Sequence, residues 1–245
     1  SVGGFNNYKE MCTSVLMPGV QHMRHTLLPE HKFIKGQPDT GAELADDLEL
    51  IAHKFEGEIA ACIIEPIAGS TGILVPPKGY LDRLRKICDK HGIILIFDEV
   101  ITGWGRTGSP FAAQEFNVTP DIMTLAKATT NGVVPMGVVA VRDGIYDAVM
   151  DSAPVGAIEL FHGYTYSGIP AAVAAALAVQ DIFEKENIFQ RVKEISPYFQ
   201  EALHSLSDLE CVENIRSYGL LGGIDINKKD KPGKAGFQVY KTCYE

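Results

Sequence analysis

The chain has 245 residues, 46% of them hydrophobic, enough to bury a sizeable core. Its 22 Lys and Arg against 31 Asp and Glu leave a net charge of −9, the wrong sign for a phosphate-backbone partner, so no nucleic-acid binding is expected. Apolar runs such as GIILIF and AACIIEPIA fall far short of a bilayer span, and no basic segment leads into an apolar one at the start, so no membrane partner is expected either.

Both ends of the chain are unusual. It opens on Ser1 rather than Met, and it stops in FQVYKTCYE, an amphipathic run with no Gly or Pro stop signal. It reads as a piece of a longer protein. From Gly41 to Gly57, Leu44, Leu48, Ile51 and Phe55 recur at spacings of three and four, which predicts a helix ending in Gly. IAACIIEPI is next and reads as a strand, and PPKGYLDRLRKICDKHG as a helix with Leu81, Leu84 and Cys88 turned inward. IILIFDEVI then reads as a strand buried on both faces, and DIMTLAK and GVVAVRD as two more short apolar runs. Alternation of strand and helix predicts a parallel sheet with right-handed crossovers.

PAAVAAALAVQDIFEKEN and IFQRVKEISPYFQEALHSL are long helices, the first rich in small residues for close packing. Beyond them CVENIRSYGLLGGIDIN returns to short strands, a change of rhythm that places a domain boundary near Leu206, while KKDKPGKAG reads as a solvated, turn-rich loop. Cys12, Cys62, Cys88, Cys211 and Cys243 are odd in number, widely spaced and without a C-x-x-C pair. This argues against a disulfide framework and a zinc site, and for a reducing cytoplasm. His22 and His25 lie beside a Pro-Gly break with no acidic third ligand, so they read as surface histidines and no metal is expected.

Gly103-Trp104-Gly105-Arg106-Thr107-Gly108 has the spacing of a dinucleotide-binding glycine loop. That motif needs its last glycine to open a helix facing the pyrophosphate, yet Ser109-Pro110 comes next, and two acids, Asp98 and Glu99, stand where phosphates would arrive. The glycines are better read as backbone freedom in a tight loop. Trp104 either lines an entrance or wedges this loop. At the carboxyl end of the strand, where open parallel sheets bind ligands, Asp98 and Val100 share a face and Glu99 points to the other. A carboxylate there can hold a proton on a ring nitrogen while the valine packs on the ring, or the pair can merely cap a buried strand. Lys127 ends the next strand, where an amine is costly unless paired or reacted, and desolvation moves its pKa toward nucleophilic use. Alone, it reads equally as a lysine leaving the sheet for solvent.

IFDEVITGWGRTG, LAKATTNGVVPMG and FHGYTYSGIPAAVAAALA, in this order and spacing, closely resemble the class III pyridoxal-phosphate aminotransferases of fold type I. The resemblance runs from about Gly3 to Ile226, and KGQPDTGAELADDLE, CIIEPIAGSTGILVPPKGYL and GAIELFHGYTYSG are most similar to the omega-amino acid:pyruvate branch. It implies an α/β fold, a mostly parallel sheet with helices on both faces, with residues 1–206 part of a large cofactor-binding domain and 207–245 the beginning of a small α+β C-terminal domain. It implies pyridoxal phosphate as cofactor, Lys127 as the lysine that carries it, Asp98 on its ring nitrogen and Val100 packed on its ring. It implies too that Glu65 lies near the cofactor, and that Thr165, flanked by His162 and Tyr164, reaches the cofactor phosphate of the neighbouring subunit in a homodimer. The substrates implied are a small amino donor such as β-alanine and an oxo-acid acceptor such as pyruvate. Ser70 stands where relatives acting on ornithine, acetylornithine and 4-aminobutyrate commonly carry glutamate, which favours the pyruvate-dependent branch. The phosphate-binding loop, the ring-stacking aromatic and the substrate-carboxylate arginine of such enzymes fall outside this sequence. A decarboxylating transaminase, an aminomutase and a non-catalytic dimerising fragment are the alternatives.

Overall fold

The computed structural model describes residues 17–227 and 233–244. Cys12, the first segment of the resemblance and most of the basic KKDKPGKAG run lie outside them. Four strands, β1 (Ala61–Ile64), β2 (Ile94–Asp98), β3 (Ile122–Leu125) and β4 (Val138–Val141), form one sheet in that order. β1, β2 and β3 run parallel, in register Ile64 to Phe97 and Asp98 to Thr124. β4 is antiparallel to β3, which departs from the parallel expectation. The reason is the connection across residues 126–137, which holds one 3-10 turn (Lys127–Thr129) and no crossover helix to carry the chain back.

Between β1 and β2 lies α2 (Tyr80–His91), and before β1 lies α1 (Asp46–Lys54), preceded by a 3-10 turn at Ala42–Ala45. Acids (Asp46, Asp47, Glu49) fill the first turn of α1 and His53 and Lys54 its last, each suited to the helix dipole. Helix α2 ends where Gly92, at φ 66°, turns left-handed and returns its N–H to Cys88 O. Leu44, Leu48, Leu81, Leu84 and Cys88 turn inward as their spacing predicts, and they meet Cys62, Leu95 and Phe97 in one core. Ile51 and Phe55 are half-buried rather than core.

The sheet is not equally covered on its two faces. Cys62, Leu95 and Phe97 pack under α1 and α2, whereas Ile63, 43% exposed, and its neighbours across the strands, Ile96, Ile122 and Val141, form a half-open apolar ladder. The expected double burial of β2 is therefore an alternation, with every second residue half-buried.

Short helices α3 (Ala112–Glu115) and α4 (Asp143–Asp151) come after β2 and β4, and only the latter is a full helix that the sequence pattern does not foretell. The two long helices are α5 (Pro170–Lys185), opened by a proline at its first position, and α6 (Ile188–His204), which continues through Pro197. The predicted boundary near Leu206 falls in the turn that leads to a separate antiparallel hairpin, β5 (Val212–Tyr218) and β6 (Leu221–Ile226). A last helix, α7 (Lys234–Tyr244), takes in the amphipathic run and the end of the basic one. Four described cysteines, Cys62, Cys88, Cys211 and Cys243, carry free thiols, and no described helix is long and apolar enough to cross a membrane.

Asp121 ties the sheet to its surroundings. Its carboxylate accepts from Leu95 N–H at 2.8 Å, Arg85 Nη1 at 2.7 Å and Arg142 Nη1 at 2.6 Å. Burial disfavours its charge, but these donors outweigh it and hold the carboxyl below the ordinary range. A depressed carboxylate contributes stability that is present above its unfolded pKa and lost as pH falls through the folded one. Asp121→Asn is expected to cost about 2–4 kcal/mol at neutral pH by urea unfolding, through the charges it strands, and the gap to wild type should shrink on acidification below about pH 4.

Candidate active site

Register brings three ionisable groups to one edge of the sheet. Ile64 pairs with Phe97, so Glu65 leaves β1 beside Asp98 at the end of β2, and Asp98 pairs with Thr124, three residues before Lys127. All three lie at the carboxyl ends of parallel strands, where open α/β sheets take ligands. By alternation Glu65 and Asp98 share the half-open face, while Glu99 falls with Leu95 and Phe97 on the buried one.

The adjacent acids are treated oppositely. Glu99 is fully buried, and its carboxylate accepts from Ala112 N–H, Ala113 N–H and Thr102 Oγ1, each at 2.8 Å. It thereby closes the whole loop from Thr102 to Ala113 onto the end of β2. Burial pushes its carboxyl up, against the pull of those donors. Asp98 is half-buried and accepts from Val100 N–H at 3.1 Å through Oδ1. Its side chain makes no other hydrogen bond or ion pair with the described residues.

The glycine loop has the role that its missing helix implied. Helix α3 is four residues long, and Gly103 is required because a Cβ there would lie 2.7 Å from Glu99 O. Trp104, at φ 64°, packs against Phe111 (ring centroids 5.2 Å apart) and Phe183 (6.0 Å), and its indole N–H donates to Thr129 Oγ1 at 3.0 Å. Trp104 therefore wedges the loop rather than lining an entrance. Thr129 is buried and donates in turn to Ala126 O at 3.0 Å, across the turn that Lys127 opens.

Lys127 adopts φ 42°, a conformation that non-glycine residues rarely hold and that costs of order 1–3 kcal/mol. The strain is held by the 3-10 turn and by Trp104. Lys127 is exposed and its amine makes no ion pair with the described residues. Its charge is nevertheless felt by Glu65. Burial pushes that carboxyl up, Gly69 N–H, donating at 2.8 Å, draws it down, and Asp98 raises it while Lys127 lowers it. The three groups thus sit in one electrostatic neighbourhood.

Thr165 is not brought to this group. It lies in an exposed turn, with His162 and Tyr164 ring to ring at 4.0 Å, in a stretch where Phe161 is 95% and Tyr166 83% exposed. His22 and His25 are exposed on irregular chain. The enclosed space beside His31 and Arg216, about 10 Å3, holds at most one water. Neither the Glu99 anchor nor the Trp104–Thr129 bond follows from the sequence alone. A buried acid next to Asp98 is visible in the alternation, but its loop partners are not.

The residues present suit a flat aromatic cofactor. A carboxylate with an unengaged oxygen, an exposed amine and a half-open apolar strand face lie at one edge of the sheet. Comparison with known proteins agrees. The class-III aminotransferase family model matches residues 2–242. The chain is 50% identical over 248 residues to an omega-aminotransferase of Caulobacter vibrioides and 46% identical over 252 residues to a β-alanine–pyruvate aminotransferase of Pseudomonas aeruginosa. Each alignment takes in 100% of this chain and 56% of the relative, so the chain spans little more than half the length of either. An (S)-enantioselective omega-transaminase from Thermomicrobium roseum has the same fold, with a TM-score of 0.71 at 39% identity over 79% of this chain and 42% of that one.

The family match and the shared fold make this a fold type I, pyridoxal-phosphate-dependent transferase domain. The chain belongs to the class-III aminotransferases.

Trp104→Phe keeps the ring packing and deletes the bond to Thr129. It is expected to cost about 1 kcal/mol in denaturant unfolding and to speed amide exchange in the Lys127–Thr129 turn, followed by mass spectrometry. Exchange at the wild-type rate would show that the indole does not position the lysine turn. Glu99→Gln should be the more damaging change, about 2–4 kcal/mol, because the amide turns a donor toward the N–H groups the carboxylate accepts from.

Proposed function

We propose that this chain carries the lysine and acid of a pyridoxal-phosphate-dependent aminotransferase that moves an amino group from an omega-amino acid or amine to pyruvate. The observation that carries this reading is the placement of Lys127 and Asp98 at one sheet edge, on an open apolar face, with Glu65 between them in charge. Similarity to the omega-aminotransferase and the β-alanine–pyruvate aminotransferase supports the substrate class. So does the small, neutral Ser70, exposed in the turn after Glu65.

Pyridoxal phosphate, when bound, supplies an electron sink for the bond broken at the substrate carbon. Lys127 Nζ would be the nucleophile that holds it and, as a free amine, would move the proton at the substrate carbon. Asp98, its Oδ1 fixed by Val100 N–H, would hold a proton on the ring nitrogen by favouring the charged form, and Val100 would pack against the ring. Glu65, whose carboxyl burial pushes up, accepts from Gly69 N–H and adds a second acid beside Asp98.

Thr165 reaches the cofactor phosphate of a second copy, so the working unit is a homodimer. The exposure of Val155, Phe161, Tyr164 and Tyr166 on one stretch supports this, since such a run is expensive to leave in water. Residues 1–206 belong to the cofactor-binding domain and 207–245 begin the small domain, and the setting is the reducing cytoplasm.

The test follows the absorbance of the parent-length protein with added pyridoxal phosphate, before and after β-alanine, because the phosphate-binding loop and ring-stacking aromatic of such enzymes fall outside this sequence. A visible band is expected that β-alanine bleaches and pyruvate restores, and borohydride should fix the cofactor mass to the peptide containing Lys127. Lys127→Ala should lack both band and adduct. An adduct on another lysine would overturn the assignment, and turnover that needs no oxo-acid acceptor would point to an aminomutase. Thr165→Ala should weaken cofactor retention by about tenfold or more while leaving the borohydride adduct at Lys127.

A further inference from the structure

On the covered side of the sheet, away from Lys127, three metal-binding side chains meet between α1 and α2. Glu49 and His53 lie one turn apart on α1, and His91 ends α2. Both imidazole Nε2 atoms lie 3.0 Å from the same carboxylate oxygen, Glu49 Oε1. The three ligand atoms all fall within 4.8 Å of one another. The two rings stand edge to face at 86°, their centroids 5.2 Å apart, so neither blocks the other's nitrogen. We infer that Glu49, His53 and His91 form a surface site for a divalent cation of the zinc class, a clamp between α1 and α2.

Ligand type and spacing favour this. Two imidazoles and one carboxylate suit zinc and its neighbours, which take nitrogen at about 2.0–2.1 Å and oxygen at about 2.0–2.2 Å. Ligand atoms around such an ion stand roughly 3–3.5 Å apart by that geometry, the spacing already present in two of the three pairs. The third pair closes by rotation of His53, whose side chain is 63% exposed and free to turn. Glu49 and His91 are the fixed members, their side chains 23% and 17% exposed. The open side leaves room for water as further ligand.

A cation already marks the place. Lys90 directs its ammonium at the same Glu49 Oε1, so three nitrogens stand around one oxygen. Lys90 is itself 59% exposed, on a stem that can swing into solvent and leave the oxygen to a metal. The ligands come from Glu49 to His91 in sequence, too far apart for a spacing motif, which is why only His22 and His25 stand out as a metal pair in the sequence.

The site lies in the helix pair that covers β1 and β2, so its occupant would hold the last turns of α1 and α2 together and take no part at Lys127. Its test is independent of the aminotransferase reading. Protein stripped with a chelator, with Cys211→Ser and Cys243→Ser removing the exposed thiols, is titrated with Zn2+ alone by calorimetry, and bound zinc is counted by mass spectrometry. One zinc per chain and a raised melting temperature are expected. His53→Ala, at an exposed position, and Glu49→Gln should each weaken binding by about 10- to 100-fold or more and abolish the thermal shift, with circular dichroism unchanged. Lys90→Met should tighten binding, a result that a plain ion-pair cluster would not give. Less than one zinc per chain, or equal affinity after His53→Ala and Glu49→Gln, overturns the site.

Discussion

The site depends on two carboxylates at consecutive positions being sent to opposite sides of one strand. Alternation forces the split: Glu99 goes under the sheet with Leu95 and Phe97, Asp98 to the open face beside Glu65. A buried carboxylate must be satisfied or it unfolds the region, and Glu99 is satisfied by the backbone of Ala112 and Ala113 and the hydroxyl of Thr102. The consequence is that the glycine loop, which by composition should be mobile, is fixed to the strand that carries Asp98. Only with Glu99 consumed in this way is Asp98 left to meet a ligand.

From that loop the constraint passes to the lysine. Trp104 is locked by Phe111 and Phe183 and donates to Thr129, which ties back to Ala126 O, and between them stands Lys127 in a left-handed conformation. A β-strand that ran on normally from Leu125 would aim the amine along the sheet or into solvent. The turn instead stops the strand and leaves Lys127 exposed at the end of β3, next to the strand that carries Asp98. The strain costs of order 1–3 kcal/mol and persists because buried Thr129 and Thr130 over-determine the turn.

The sequence is most legible where local periodicity and burial coincide. Leu81, Leu84 and Cys88 face inward as their spacing requires, and the Gly92 stop falls one residue past the helix. Asp98 and Lys127 can be picked out because charge at the end of an apolar strand is conspicuous. What stays hidden depends on long-range pairing. The antiparallel turn of β4 is set by a link too short for a crossover, and Ile63 and Ile96 read as core residues although their face is half-open. The indole of Trp104 finds Thr129, 25 residues away, by a hydrogen bond that no period or motif encodes.

The same logic explains how the hairpin after α6 relates to the site. β5 and β6 form their own sheet, yet Tyr218 Oη donates to Glu115 at 2.8 Å, Leu220 N–H to Arg106 O at 2.9 Å, and Arg216 Nε to Gly72 O at 2.9 Å. Arg216 is almost fully buried and pairs through both terminal nitrogens with Asp225, so the guanidinium is fixed before it reaches the turn after Glu65. The hairpin turn approaches so closely that a Cβ on Gly219 would lie 2.4 Å from Arg106 O. One of these contacts falls on the loop held by Glu99, one on α3 that follows it, and the third on the turn whose Gly69 N–H holds Glu65. The hairpin is therefore tied to both loops that position the acids, while Trp104 ties the loop held by Glu99 to the lysine turn.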